Sequence, residues 1–227
     1  MKKILFLGYK KNKLINLIKK NKKYIVKNKN NSLNLNDVKK YDLIITYGYK
    51  KIIPNKFILA AKRPIINLHI GYLPYNRGAH PNFWAFAENT PSGVTIHEVD
   101  SGIDTGKIIF QKQVNFDLIN NRKLLNFKNT YKVLRNEIEK LFEDNFEELV
   151  NYNYRCFNQI GLGTFHYKKD LPLIVKNWSQ NVYKTILKHD LGEKKKINKK
   201  LKILDEVEKT RKNNNINWID IVRTSLK

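Results

Sequence analysis

Hydrophobic positions along the chain fall into two rhythms. Residues 3–7, Lys-Ile-Leu-Phe-Leu, are a short solid apolar run closed by Gly8, the mark of a strand buried on both faces. Residues 13–20 then switch to a helical period, with Leu14, Ile15, Leu17 and Ile18 apolar. Further strands are predicted at residues 24–26, at 42–47 before Gly48, and at 65–69 after Pro64. Such alternation predicts an α/β fold built on a parallel sheet. Pro81 is placed to open a helix over residues 81–87, because proline is tolerated in a first turn. Residues 93–99 alternate as a strand. Residues 106–114 predict another, with Ile108, Phe110 and Lys112 on one face and Ile109, Gln111 and Gln113 on the other. The clearest helix spans 130–152, where Val133, Leu134, Ile138, Leu141, Phe142, Phe146 and Leu149 form a stripe suited to covering the sheet. Beyond about residue 160 the pattern loosens. Residues 163–171 read as loop and strand, and 183–188, 194–212 and 217–226 as short helices, the lysine-rich middle one a solvated face. The expected division is a domain over residues 1–160 and a C-terminal extension with short helices over 161–227.

A chain of 227 residues, 41% hydrophobic, can bury one real core and carry a short appendage. Cys156 is the only cysteine, so an internal disulfide and a thiolate-based metal cluster are excluded. No apolar run approaches the roughly 20 residues that span a bilayer, and the N-terminal run is too short for a signal peptide. A cytoplasmic protein without a membrane partner is expected. The formal charge of +24 invites a polyanion reading. The basic residues are overwhelmingly Lys, though, spread along the whole chain beside abundant Asn and Ile, which resembles the bias of AT-rich coding sequence. Nucleic acid is therefore not the expected partner, and a phosphate-bearing small substrate would equally welcome such a field.

The candidate chemistry is concentrated in Asn67-Leu68-His69 and in Asp104, within a glycine-containing turn after the 93–99 strand. Strand residues two apart share a face, so Asn67 and His69 can address one reacting atom. An amide donor, a titratable ring and a carboxylate suit acyl transfer to an amine, where an oxyanion is held while a proton leaves the nucleophile. Taken singly, each residue has a plainer reading: Asn67 as a strand cap, His69 as a core histidine, Asp104 as a turn former. His97 reads as packing or support, and His80 as able to touch substrate. The chain has no His-Glu-x-x-His or Gly-x-Ser-x-Gly motif, so neither a zinc site nor a serine hydrolase is expected. The turn Gly8-Tyr9-Lys10-Lys11-Asn12 holds one glycine and makes a poor phosphate loop.

Asn67-x-His69, Leu73-Pro74-x-x-Arg77-Gly78 and Gly93-Val94-Thr95 leading to Asp100-Ser101-Gly102-Ile103-Asp104-Thr105-Gly106 occur in the order and spacing of the folate-dependent formyltransferases. The first two thirds of the chain resemble that family, and the resemblance implies a Rossmann-type, mostly parallel sheet flanked by helices. It implies 10-formyltetrahydrofolate as co-substrate with no metal, and Asn67, His69 and Asp104 as catalytic residues. Asp104 would orient His69 or relay the proton through water. The pterin would lie between Tyr47-Gly48-Tyr49 and Gly71-Tyr72-Leu73-Pro74, held largely by backbone groups. Tyr9, Arg77, Gly78, His80 and Trp84 are the implied substrate-binding residues.

Thr46-Tyr47-Gly48-Tyr49, Arg77-Gly78-Ala79-His80-Pro81-Asn82-Phe83-Trp84 and the segment from Gly163 to Leu171 are especially similar to the sugar N-formyltransferases. The implied acceptor is a nucleotide-linked aminodideoxysugar, dTDP-linked and destined for surface polysaccharide. A methionyl-tRNA formyltransferase-like enzyme is the alternative. It fits the charge, but those enzymes normally carry a C-terminal β-barrel where this chain predicts helices. A basic nucleic-acid-binding protein on the same scaffold is the non-enzymatic rival, and it would predict a damaged triad. The resemblance also implies a homodimer. Trp178 and Trp218 are read as core packing, with stacking on a nucleotide base as the lesser alternative.

Overall fold

The computed structural model describes residues 1–10, 13–116 and 125–213. The chain opens as predicted, with strand β1 (Lys2–Gly8), helix α1 (Lys13–Lys19) and strand β2 (Tyr24–Lys29). Helix α2 (Leu35–Lys40) leads to β3 (Leu43–Tyr47), and α3 (Asn55–Ala60) to β4 (Ile66–His69). Then come the two-residue strand β5 (Arg77–Gly78), α4 (Pro81–Ala87) and the pair β6 (Gly93–Glu98) and β7 (Ile108–Gln113). Helices α5 (Phe127–Asp144) and α6 (Phe146–Asn151), the short strand β8 (Phe165–His166) and helix α7 (Val182–Asn213) complete the described chain.

Six strands form one sheet in the order β2-β1-β3-β4-β6-β7. The ladders linking β2, β1, β3 and β4 are parallel, whereas β4 with β6 and β6 with β7 are antiparallel. The chain winds first to one side of β1 and then to the other, which makes a topological switch point where ligands bind in open α/β sheets. A second, two-stranded sheet joins β5 to β8 and so ties residues beyond 160 back to the Arg77–Gly78 segment.

The sheet separates two cores. On one side Phe6, Ile45, Tyr47, Leu68 and Ile96 pack under α1, α4 and α5. On the other, Leu5, Leu7, Ile44 and Ile65 pack under α2 and α3 with Val38, Phe57 and Ile58. The apolar stripe of α5 is buried at Phe127, Leu134, Ile138 and Phe142, as its helical period requires.

Several elements differ from the sequence reading. The single helix expected over 130–152 is broken at Asn145, whose side-chain amide bonds the Leu141 carbonyl at 2.8 Å and ends α5. The short helices expected at 183–188 and 194–212 are one continuous α7. The expectation for 217–226, with Trp218, lies outside the described residues. Helices α2 and α3 escaped the pattern because they bury almost nothing: Val38 alone in the first and no residue in the second. What starts α2 is local. Asn34 caps it and Asp37 closes a reciprocal capping box.

Candidate active site

The site grows from two rows of side chains that the strand register lays across the sheet. In the first, Thr46 of β3 stands beside Asn67 of β4, and Asn67 beside His97 of β6. In the second, His69 stands beside Thr95, and Thr95 beside Gln111 of β7. The loop between β6 and β7 folds back over the first row and brings Asp104 onto it.

Every hydrogen of the Asn67 amide is directed. The Thr46 hydroxyl donates to Asn67 Oδ1 at 2.7 Å, and Asn67 Nδ2 lies 3.1 Å from both Asp104 Oδ1 and His97 Nε2. A carboxylate only accepts, so its position fixes which end of the amide is nitrogen. His97 Nδ1 is 2.7 Å from the Glu98 carbonyl oxygen and must carry the hydrogen there, which leaves Nε2 to accept from Asn67. His97 is thus a support for Asn67, more closely built into the site than its strand pattern suggested.

His69 is buried, with Nδ1 3.5 Å from Asp104 Oδ2. Its other nitrogen, Nε2, is buried without a hydrogen-bond partner among the described residues. A buried orphan of this kind calls for an explanation. The ring packs directly on the bare α-carbon of Gly71, where a Cβ would come within 2.4 Å of Nε2. With the carboxylate on the Nδ1 side, the ring is set to keep its hydrogen there and leave Nε2 as the acceptor.

Burial pushes the His69 pKa below its ordinary value, and neighbouring His97 adds to this. Asp104 opposes the shift without cancelling it. At neutral pH His69 is therefore an uncharged proton acceptor. Burial alone would push the Asp104 carboxyl up, but the charge that His69 and His97 carry when protonated, together with the Gly78 N–H, holds it well below the usual carboxylate range. Asp104 stays ionised.

Asp104 sits at φ +53°, in the left-handed region that L-residues other than Asn and Asp rarely adopt. Three bonds fix it there. Gly78 N–H donates to Oδ2 at 2.9 Å, and the Gln159 side-chain amide donates to the carbonyl oxygens of Asp104 and Gly106 at 2.9 and 2.8 Å. Gln159 Oε1 in turn accepts from Arg77 Nε and Nη2 at 2.9 and 2.7 Å. One side chain therefore clamps the Asp104 turn to β5. The sequence reading missed Gln159: it stands 55 residues from Asp104 in a stretch without periodicity, and nothing in the local pattern marks it.

The loop after β4 is fastened by the second row. Thr95 Oγ1 donates to the Gly71 carbonyl at 2.7 Å and accepts from Leu73 N–H at 3.2 Å, while Gln111 Nε2 bonds the Leu73 carbonyl at 2.7 Å. Leu73 is buried, Tyr72 lies against Gly93, and the Pro74 carbonyl accepts from Thr164 N–H at 3.3 Å.

On the opposite face of β3, Tyr47 is buried and donates to Glu139 Oε1 at 2.8 Å, with Arg135 Nε donating back to its hydroxyl at 3.2 Å. Tyr9 lies edge-on to Tyr47, its ring over the bare α-carbon of Gly48, where a Cβ would be 2.3 Å from it. Its hydroxyl meets that of Tyr131 at 2.5 Å, and the Arg135 guanidinium lies 4.9 Å from its ring centre. Tyr49 instead packs on the α2 and α3 side.

The structure thus brings Asn67, His69 and Asp104 together, with the Gly78 N–H. It places Tyr9 on a separate lip, commits the Arg77 side chain to Gln159, and sets His80 against Trp178 with ring centres 5.3 Å apart. Trp84 is buried and stacked on His166 at 3.8 Å.

Comparison with known proteins adds to this geometry. Residues 9–128 match the formyl transferase family. The formyltransferase PseJ from Anoxybacillus kamchatkensis, solved in complex with UDP-4,6-dideoxy-4-formamido-L-AltNAc and tetrahydrofolate, is 35% identical. That similarity covers 81% of this chain and 97% of that one, with a TM-score of 0.72. The dTDP-4-amino-4,6-dideoxyglucose formyltransferase of Mycobacterium tuberculosis is 28% identical over 133 residues, 59% of this chain and 54% of its own length. The methionyl-tRNA formyltransferase of Thermodesulfovibrio yellowstonii is 36% identical over 89 residues, 39% of this chain and 28% of its own length. The chain spans about half the length of the first of these curated relatives, and less of the second.

Proposed function

The chain belongs to the formyl transferase family, and from that premise we propose that it moves the formyl group of 10-formyltetrahydrofolate onto the amino group of a nucleotide-linked aminodideoxysugar. The observation that carries the reading is the buried, partnerless Nε2 of His69, with an ionised Asp104 on the other side of the ring and the bare α-carbon of Gly71 against it. Formyl transfer to an amine needs a base at the attacking nitrogen and a donor at the formyl oxygen. Neutral His69 takes the amine's proton at Nε2, Asp104 stabilises the imidazolium that forms, and the proton then passes to the folate nitrogen, whose bond to the formyl carbon breaks as the adduct collapses to formamide and tetrahydrofolate. Asn67 is the donor for the oxyanion. Its two hydrogens rest on His97 and Asp104, so one of them must turn to the formyl oxygen as the tetrahedral adduct develops.

The two substrates approach from the two sides of the sheet. The pterin lies on the Tyr49 side, between residues 47–49 and Gly71-Tyr72-Leu73-Pro74, where backbone groups read its edge. The acceptor lies on the Tyr9 side, bounded by the segment from Arg77 through His80 to Trp84. In this reading Gly78 acts through its backbone, Arg77 and Trp84 shape the wall from within, and Tyr9 and His80 present their rings. Residues 1–160 carry the chemistry, and 161–227 are an extension whose β8 braces that wall. A relative's complex with a 4-formamido UDP-sugar and the curated similarity to a dTDP-4-amino-4,6-dideoxyglucose enzyme favour a 4-amino-4,6-dideoxyhexose on a pyrimidine nucleoside diphosphate. Such a product would serve surface polysaccharide, made in the cytoplasm by a homodimeric enzyme. Among the described residues no helix is long and apolar enough to cross a membrane.

A panel assay tests the reading. The protein is incubated with 10-formyltetrahydrofolate and, separately, dTDP- and UDP-linked aminodideoxyhexoses, glycinamide ribonucleotide and charged initiator tRNA. Formylation of an aminosugar nucleotide is expected, and turnover of the tRNA or of glycinamide ribonucleotide alone overturns it.

A further inference from the structure

The lysines are spread along the whole chain, but the carboxylates are not. Residues 1–66 hold eighteen Lys and Arg against two carboxylates, Asp37 and Asp42. Both are taken: Asp37 pairs with Lys29 and closes the capping box of α2, and Asp42 accepts from Lys62 at 2.9 Å and from the Lys3 N–H at 2.8 Å. Lys13 is held by Glu139 at 3.0 Å. Lys50, Lys51 and Lys56 are exposed, and among the described residues none of the three is in an ion pair. Lys51 Nζ donates to the Ser32 hydroxyl at 2.9 Å, and Lys56 Nζ stands 5.5 Å from the centre of the Phe57 ring.

These three lysines lie on one segment at one edge of the sheet. It leaves β3 after Tyr47 and is pinned by Tyr49, whose hydroxyl donates to the Asn31 carbonyl at 3.3 Å, and by Ile53, buried on the α2 and α3 side. Because β3 and β4 are parallel neighbours, the segment emerges beside Gly71-Tyr72-Leu73-Pro74, at the cleft given above to the pterin. Between Lys51 and Lys56, Ile52 is 78% exposed. The segment thus presents an uncovered apolar side chain among three cations that lack counter-ions. A folate carries the matching series of groups: beyond its pterin comes an aromatic ring, then a glutamyl residue, and each further γ-linked glutamate adds one carboxylate. On its other side β4 is flanked by β6, and the loop after β6 holds, over residues 99–106, two carboxylates and no cation. An anionic tail is repelled there and attracted beyond β3. We propose that Lys50, Lys51 and Lys56 form a subsite for the poly-γ-glutamate tail of the folate, with Ile52 against its aromatic ring. The inference rests on the folate reading of the site. Free polyanions meet only the general field of the chain, whereas a tail delivered by a seated pterin meets these lysines at high effective concentration.

Titration calorimetry of the full-length protein with tetrahydrofolate monoglutamate and with the pentaglutamate tests this. The pentaglutamate is expected to bind about tenfold more tightly at 50 mM salt, with the gap closing as salt is raised, because exposed charges are screened. In Lys50→Ala/Lys51→Ala/Lys56→Ala the two forms should bind within about twofold of each other. Lys39→Ala/Lys40→Ala removes charge from the last turn of α2, where the chain is about to enter β3 at the opposite edge of the sheet, and should keep the preference. Equal binding of the two forms by the unaltered protein, a preference that survives in the triple variant, or one lost as fully in Lys39→Ala/Lys40→Ala would each overturn the proposal. Equal binding leaves the proposed reaction standing, since the pterin is still held. Binding of neither form removes the folate reading and this subsite with it.

Discussion

His69 has one nitrogen 3.5 Å from a carboxylate and the other buried without a hydrogen-bond partner among the described residues, and its titration is where the residue-scale consequences begin. Replacing His69 by Ala, or Asp104 by Asn, is expected to lower kcat by a factor on the order of a hundred or more with the fold retained, as removal of general-base and charge-stabilising groups does. Wild-type turnover in either would remove that residue from the mechanism. The pH profile follows from the sign of the shift. A base must be neutral to act, and burial holds the His69 pKa below 6.5, so kcat/KM should fall only as pH drops through that lowered value. An acid limb centred above pH 6.5 would contradict the burial described. Gln159 acts at one remove, by holding the turn that holds Asp104. Gln159→Ala should cost about tenfold or more in kcat with KM for both substrates little changed, since small misplacements of reacting groups are expensive. Its acid limb should move to still lower pH, because Asp104 no longer props up the proton affinity of His69 from 3.5 Å. Asn67, His69 and Asp104 were legible because two of them share one strand and the third lies in a recognisable turn. Gln159 and the support role of His97 were not. The first depends on where the loop over residues 99–107 folds back and the second on the register of β6 against β4, and no period in the sequence encodes either.

At the scale of elements, strands and long helices were readable where burial imposes a rhythm, as at residues 3–7 and along the stripe of α5. Elements that bury little, such as α3 and the two-residue strands β5 and β8, left no rhythm to read. Capping and breaking residues decided the rest: the box at Asn34 and Asp37 starts α2, and the Asn145 amide splits α5 from α6. The packing of α5 on β3 is unusual in carrying a buried carboxylate. Glu139 accepts from Tyr47 and lies 3.3 Å from Arg135 and 3.0 Å from Lys13. Tyr47→Phe removes one of these partners from a group that cannot regain water. Chemical denaturation should show a loss of about 1–3 kcal/mol, the cost of a buried polar group left short of a bond. A loss well below that range would mean that Arg135 and Lys13 suffice.

For the whole molecule, the excess of positive charge is the most visible property and the least diagnostic. Lysines are distributed along the chain, and their field should draw in any polyanion weakly and without discrimination. Binding to initiator and elongator tRNA is therefore expected to be equal, and to fade as salt is raised from 50 to 200 mM in the manner of simple counterion release. Selective, saturable binding of the initiator would revive the translation reading. The sheet itself organises the molecule more deeply than its charge does. Thr46 and Tyr47 are neighbours in sequence, but the first steadies Asn67 on one face and the second anchors the lip of Tyr9 and Arg135 on the other. Residue parity on one strand thus partitions heredity. Changes at even positions of β3 bear on the Asn67 face and changes at odd positions on the Tyr9 and Arg135 face, so either set can vary while the other is kept. The insertion or deletion of a single residue within β3 is the one kind of change that this partition cannot absorb, because it would exchange the two sets of duties at once.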